Sequence, residues 1–290
     1  MIKKTFVALL SLLLVLVIAT PAGAITYGEP EDPVNPEHPY VGMLAFFDSE
    51  GVFVWRCSGS LLSPTIVLTA GHCTAPDEGL VPVRARFYLD PTIFYDPVLD
   101  DYTNETYYMG TPVVNPEYQW VIPETHDIAV VLMDEPVPGI TEFAQLPTLN
   151  LMNEVAVKAA KRDVILTPVG YGINDYTPPA EVLSLRTRWM AQSFLVSLNN
   201  AITDGWNIQA SNNPGQWTGS EDYVSGGTCF GDSGGPVLLG GPESNIVVGI
   251  TSFGFSSYCT GNGDFSYRVD TEDAREFLSQ FAEEYGFVIP

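Results

Sequence analysis

The stretch Gly226–Val237, GGTCFGDSGGPV, sets a single serine among closely spaced glycines. Glycine lets the backbone turn tightly, adopt left-handed conformations and approach other groups closely. A serine hydroxyl is a weak nucleophile until a neighbouring base takes its proton. Gly-Asp-Ser-Gly alone therefore describes a turn. Ser233 becomes a nucleophile only if the chain supplies a base and an acid to orient it.

Three histidines are available. His72 ends the apolar run of VLTAGHC (67–73), at a strand-to-loop corner that can project a side chain into a cleft. His38 lies in the Pro-rich NPEHPY (35–40) and is expected at the surface. His126 precedes Asp127 in ETHDIAVVLM (124–133) and should point away from it in extended chain. Asp127 opens the apolar run IAVV and is expected to be partly buried. A buried carboxylate needs a hydrogen-bonding partner, and an imidazole N–H serves.

TAGHC, HDIAVV and GDSGGP, in that order, resemble the chymotrypsin-like (trypsin-like) serine peptidases. ITSFG (250–254), YRV (267–269) and the last helix extend the resemblance over nearly all of the chain after the N-terminal leader. The Asp90–Gly110 region and QASNNPGQWTG (209–219) look closer to secreted bacterial members than to the animal digestive enzymes. The resemblance implies an all-β chain of two antiparallel six-stranded β-barrels with a C-terminal α-helix, and a cleft between the barrels. It implies His72 as general base, Asp127 as its orienting acid and Ser233 as nucleophile. The Gly231 and Ser233 amides would form the oxyanion hole, and Ser252 would support Asp127.

Four cysteines allow three pairings into two disulfides; the resemblance implies Cys57 with Cys73 and Cys229 with Cys259. It also implies a freed apolar N-terminus whose ammonium pairs with Asp232. Residues 1–24 carry Lys3 and Lys4, an uncharged apolar run and Ala-Gly-Ala, the pattern of a secretory signal peptide. The apolar run is short for a bilayer span. Cleavage after Ala24 would expose Ile25, so signal peptidase itself could make the activating cut. An ordinary cleavage that leaves Ile25 in solvent is the alternative.

Without residues 1–24 the chain holds 35 acidic against 10 basic residues. Such a surface repels nucleic acid and anionic lipid. A secreted monomer acting on protein or peptide substrates is expected, with no membrane contact after cleavage. No cofactor and no metal site are expected. Acids in Asp90–Gly110 miss the EF-hand spacing, which makes a calcium loop there the weaker reading.

Gly227 stands where trypsin keeps the charge of its specificity pocket, so trypsin's preference does not carry over. Thr228 and Gly254 would line that pocket. Asp264 aligns near a wall position and could bind Arg or Lys from the opposite side. A one-residue slip would put Gly263 there and leave Asp264 facing solvent. Basic and large apolar residues both remain open as targets. A catalytically silent binding protein on the same scaffold is the main rival, although His72, Asp127 and Ser233 are all present. An esterase with a Gly-x-Ser-x-Gly elbow is opposed by the β-rich pattern.

Runs such as YVGMLAFF (40–47), VRARFYL (83–89), DVILTPVG (163–170) and NIVVGITSFG (245–254) read as short strands between turn residues. Asp90–Gly110 reads as a surface excursion. The expected division is a first barrel over 25–150, a second over 151–270 and a helix over 271–284. In that helix Ala274, Phe277, Leu278 and Phe281 fall on one face.

Overall fold

The computed structural model describes residues 25–159, 163–173, 185–213, 226–257, 259–261 and 263–290. The expected signal peptide and residues 214–219 of the QASNNPGQWTG stretch lie outside them.

The chain enters through β1 (Glu29–Pro30) and then forms β2 (Val41–Phe47), β3 (Phe53–Ser63) and β4 (Ile66–Thr69). It continues through β5 (Arg84–Tyr88), β6 (Thr92–Asp96), β7 (Asp101–Tyr102), β8 (Tyr108–Val114) and β9 (Ala129–Met133). Six of these close as an antiparallel barrel in the order β2-β3-β4-β9-β8-β5. β2 is buried along its whole length because both of its faces are covered. Leu44 and Phe46 point into one core with Phe87 and Val130, while Met43, Ala45 and Phe47 face a second with Tyr88, Ile93 and Tyr102. Side chains alternate sides along a strand, so one sequence run serves both layers.

The second layer explains the Asp90–Gly110 excursion. It is not a bare loop: β6 and β7 pair with each other, and β6 pairs with β11 (Leu185–Thr187) in a small three-stranded sheet. Ile93 and Tyr102 bury themselves against the outer face of β2. The acids of this region are used locally. Arg86 grips both oxygens of Asp101, Asn104 donates to Asp90, and the Tyr95 hydroxyl donates to Asp100.

The second half supplies β10 (Ile165–Gly170), β12 (Trp189–Met190), β13 (Ser193–Ser197), β14 (Asn207–Ala210), β15 (Pro236–Leu239), β16 (Val247–Gly254) and β17 (Asp264–Arg268). β10 pairs with both β13 and β15, closing β10-β13-β14-β17-β16-β15 into the second barrel. Leu166, Leu195, Ile208, Val237 and Val248 fill it. A helix at Leu151–Lys158, absent from the sequence reading, caps this core through Met152.

The C-terminal helix runs Glu272–Tyr285. The Thr271 hydroxyl accepts from Ala274 N, Glu272 and Asp273 occupy the positive end of the dipole, and left-handed Gly286 ends the helix. Ala274, Phe277 and Leu278 are buried. No described helix is long and apolar enough to cross a membrane.

His38 corrects the sequence reading, because it is fully buried rather than at the surface. Its Nδ1 meets Glu31, whose other oxygen accepts from Arg188 Nε at 2.8 Å. Arg188 also donates to the Val41 carbonyl at 2.7 Å. The Pro-rich segment is therefore clamped between the barrels by a partner 157 residues away in sequence. Burial alone would raise the Glu31 pKa, but His38 and Arg188 outweigh it and hold it below its ordinary value.

Glu31→Gln leaves a buried guanidinium without its anion and is expected to cost about 3–5 kcal/mol at pH 7. The folded state prefers ionised Glu31. Its contribution is therefore complete above the unfolded pKa and fades as pH falls through the lower, folded one. Denaturant unfolding at pH 7 and at pH 4 and below checks this: the gap between wild type and variant should narrow with acid. Equal stability at pH 7 would contradict the clamp.

Candidate active site

Asp127 joins His72 of the first barrel to Ser252 of the second, and Ser252 shares a pocket with Ser233 and Trp120. His72 sits in one helical turn, Gly71–Thr74, directly after β4. The Cys57–Cys73 disulfide ties that turn to β3, and Cys229–Cys259 joins two loops of the second barrel. Asp127 precedes β9 and has no exposed surface. His126 before it adopts a left-handed φ of 46°. The His126 side chain turns away to Asp273 of the C-terminal helix, with Nδ1 2.9 Å from Oδ1.

Asp127 satisfies both of its oxygens. Oδ1 accepts from His72 N at 2.8 Å, and Oδ2 lies 2.9 Å from His72 Nδ1 and accepts from Ser252 Oγ. Burial pushes the Asp127 pKa up, yet the His72 ring and the Ser252 hydroxyl prevail and lower it. Burial likewise opposes charge on His72, and the Asp127 carboxylate overcomes it and raises the His72 pKa. This geometry assigns the Nδ1 proton to the Asp127 side and leaves Nε2 as the basic nitrogen. Trp120 stands edge-on to the ring at 6.1 Å.

Ser233 lines a pocket together with Trp120 and Ser252, the residues that touch His72 and Asp127. Among the described residues no hydrogen bond joins its Oγ to His72 Nε2, which lies 3.7 Å from the disulfide sulfur of Cys73. Catalytic hydrogen bonds often tighten only when substrate is bound. The Asp232 and Gly234 amides turn inward, to the carbonyls of Cys229 at 3.0 Å and Thr251 at 2.8 Å. The Gly231 and Ser233 amides have no acceptor among the described residues. Gly231 has φ 97°, a left-handed conformation that glycine adopts without steric cost.

Asp232 is also fully buried. Its oxygens accept from Gly172 N at 2.7 Å and Cys229 N at 2.9 Å, but burial prevails and lifts its pKa to about 7. Ile25 is buried against Trp189 and Ala191. Thr26 N donates to the Gly227 carbonyl at 2.9 Å and Gly227 N returns a bond of 3.1 Å. The N-terminal segment thus lies beside the Gly226–Val237 loop. Among the described residues no hydrogen bond links Ile25 to Asp232.

The pocket beside Ser233 is lined by Thr228, Phe253, Gly254, Gly263 and Asp264, among others. Asp264 is buried, not solvent-facing. Thr228 N donates to its Oδ2 and Asn212 Nδ2 to its Oδ1. Asn212 is fixed in turn, because its own oxygen accepts from Gly261 N and Gly263 N at 3.1 Å each. Burial raises the Asp264 pKa to about 7, against those donors. A side chain at Gly227 would collide with Asn212 and Asp264, so the carboxylate occupies space that Gly227 leaves open.

Two groups of metal-ligand type occur among the described residues. One is Cys57, His72 and Cys73, whose sulfurs are spent in a disulfide. The other is Glu117, His126 and Asp273, in which buried His126 bonds Asp273 and exposed Glu117 lies 3.8 Å from its Nδ1. Arg56, Ser58, Asn212 and Trp120 had no local signal in the sequence. They reach the site only through tertiary contacts.

The family model described as Trypsin matches residues 29–274. The chain belongs to the trypsin family. Brachyurin of Leptuca pugilator is 30% identical over 218 residues, 71% of this chain and 79% of that protein. A chymotrypsin of Phaedon cochleariae is 26% identical, over 77% of this chain and 71% of its own length. A solved HL collagenase structure superposes with a TM-score of 0.63 at 18% identity, covering 91% of this chain and all of that one. That likeness concerns the trypsin-family fold. The expected affinity with secreted bacterial members finds no support among these relatives.

If Asp127 sets the charge on His72, Asp127→Asn should move the His72 imidazole titration below about 6.5, because burial then acts unopposed. NMR of the imidazole protons measures it. An unchanged His72 pKa would contradict the assigned pairing.

Proposed function

We propose that the chain is an exported serine endopeptidase that cleaves protein and peptide substrates through an acyl-enzyme on Ser233. The observation that carries the reading is the fixed His72 ring. Asp127 holds its Nδ1 edge, and the basic Nε2 would serve the cleft that Ser233 lines. Nε2 would take the Ser233 proton as Oγ attacks the scissile carbonyl, then return it to the leaving amine. The oxygen turns anionic where the Gly231 and Ser233 amides offer unused donors. Each such donor contributes about 2.7–4 kcal/mol in related chemistry. Backbone at Ser252–Gly254 would pair with the extended substrate.

A fluorophosphonate probe tests this reading. Processed wild type should label, and Ser233→Ala should not label and should lose activity by a factor on the order of 10⁵ or more. A processed wild type that does not label favours the silent binding protein instead.

Activation follows from Asp232. Among the described residues Asp232 is hydrogen-bonded only by backbone amides, Arg56 acts on it without a hydrogen bond, and its pKa is still raised. An ammonium at Ile25 would supply a direct cationic partner. Removing residues 1–24 creates that ammonium in a segment already bound to Gly227. N-terminal sequencing of active secreted material should return Ile25; another start would refute the activating cut.

Asp264 would set a mixed primary preference. Ionised, it attracts Arg or Lys, and protonated it leaves a neutral pocket for large apolar side chains. Its pKa is raised, so ionisation comes near pH 7. The ratio of kcat/KM for Arg over Phe substrates should therefore rise between pH 6 and pH 8. The ratio cancels the titration of His72, which both substrates share. Asp264→Asn should flatten the ratio, and a variant ratio that still rises would rule Asp264 out.

A further inference from the structure

The Gly231 amide is useful only while it faces the cleft, and what fixes its direction lies outside its own loop. In a planar trans peptide the C=O and N–H point in opposite directions. The peptide that carries the Gly231 N–H also carries the Phe230 carbonyl. That carbonyl accepts from Ile173 N at 3.0 Å and is approached by Arg56 Nη2 at 3.5 Å. Donors on the Phe230 oxygen hold it away from the cleft and so hold the N–H toward it. The following peptide is pinned as well, because the Gly231 carbonyl accepts from Ser58 Oγ at 2.9 Å.

Arg56 and Ser58 stand on β3, in the opposite barrel. Arg56 Nη1 donates to the Tyr171 carbonyl at 2.8 Å, which anchors the guanidinium between the 171–173 segment and the Phe230 carbonyl. It lies so close to Gly231 that a Cβ there would collide with it. Burial lowers the Arg56 pKa to about 10, so it remains a cation at neutral pH. Ser58 Oγ also accepts from Tyr171 N at 3.0 Å, and Ser58 N donates to the Ser233 carbonyl at 2.7 Å. The two residues therefore hold both peptides flanking Gly231 and the carbonyl of the nucleophile.

We propose that Arg56 and Ser58 are positioning residues for the oxyanion hole, acting across the cleft through the Phe230–Gly231 and Gly231–Asp232 peptides. The proposal rests on the peptidase reading above. A loosened Gly231 peptide rotates its N–H out of the cleft part of the time. The loss then falls on the transition state, where the oxyanion forms, and not on ground-state binding.

The test uses the processed enzyme with Arg56→Met, Arg56→Lys and Ser58→Ala. Arg56→Met should lower kcat by roughly tenfold or more with KM within about twofold. It should weaken a peptide aldehyde, whose adduct places an oxyanion in the hole, by the same factor as kcat. A peptide amide competitor, which forms no oxyanion, should bind as before. Ser58→Ala, a small change that tests the second contact alone, should show the same split to a lesser degree. Arg56→Lys lacks the planar fork and should rescue only in part. Unchanged kcat in both Arg56→Met and Ser58→Ala, or equal weakening of aldehyde and amide, would overturn the proposal. Failure of wild type to label with fluorophosphonate would instead remove the peptidase reading beneath it.

Discussion

Asp127 is a carboxylate with no access to water, and burying such a charge is tolerable only if every lone pair has a donor. Its donors come from both halves of the molecule. His72 supplies a backbone amide and a ring nitrogen from the first barrel, and Ser252 supplies a hydroxyl from β16 of the second. Docking the two barrels is therefore the step that completes the solvation of Asp127. The same step sets Ser252, which lines one pocket with Ser233, against the carboxylate that holds the imidazole. Stability and the candidate chemistry share one constraint at this point.

The same pattern recurs around it. Asp232, Asp264 and Glu31 are also buried acids, and they are accommodated in two ways. Glu31 has a guanidinium and an imidazole, which lower its pKa. Asp232 and Asp264 have only neutral donors, and both rise to about 7. Two of the chain's few cations, Arg188 and Arg56, link separate parts of the fold. The two acids with no cation among their hydrogen-bond donors are the ones that a new ammonium or a substrate side chain could complete.

Several of these features were readable from local sequence. GDSGGP around Ser233, the corner at His72 and the apolar run after Asp127 are short patterns that each stand in a few consecutive residues and gain meaning from their order along the chain. The C-terminal helix was likewise visible in its periodicity. What escaped the sequence depends on distant partners. His38 looked exposed because its neighbours are prolines and Glu37, while the residues that bury it are Glu31 and Arg188. The Asp90–Gly110 region looked like loop because its strands are short and β6 finds one partner about 90 residues later. Asp264 sat between two alignments until Asn212 and Thr228 fixed its carboxylate in the pocket. Arg56 carried no local mark at all.

The central claim is that the barrel interface assembles an acylating centre on Ser233. Pre-steady-state reaction of the processed chain with a slowly deacylating chromogenic ester tests it most directly. The account predicts a burst of one leaving group per chain, with the acyl mass on the peptide containing Ser233. A correctly folded and processed chain that gives no burst, or carries the acyl group on another residue, would contradict it.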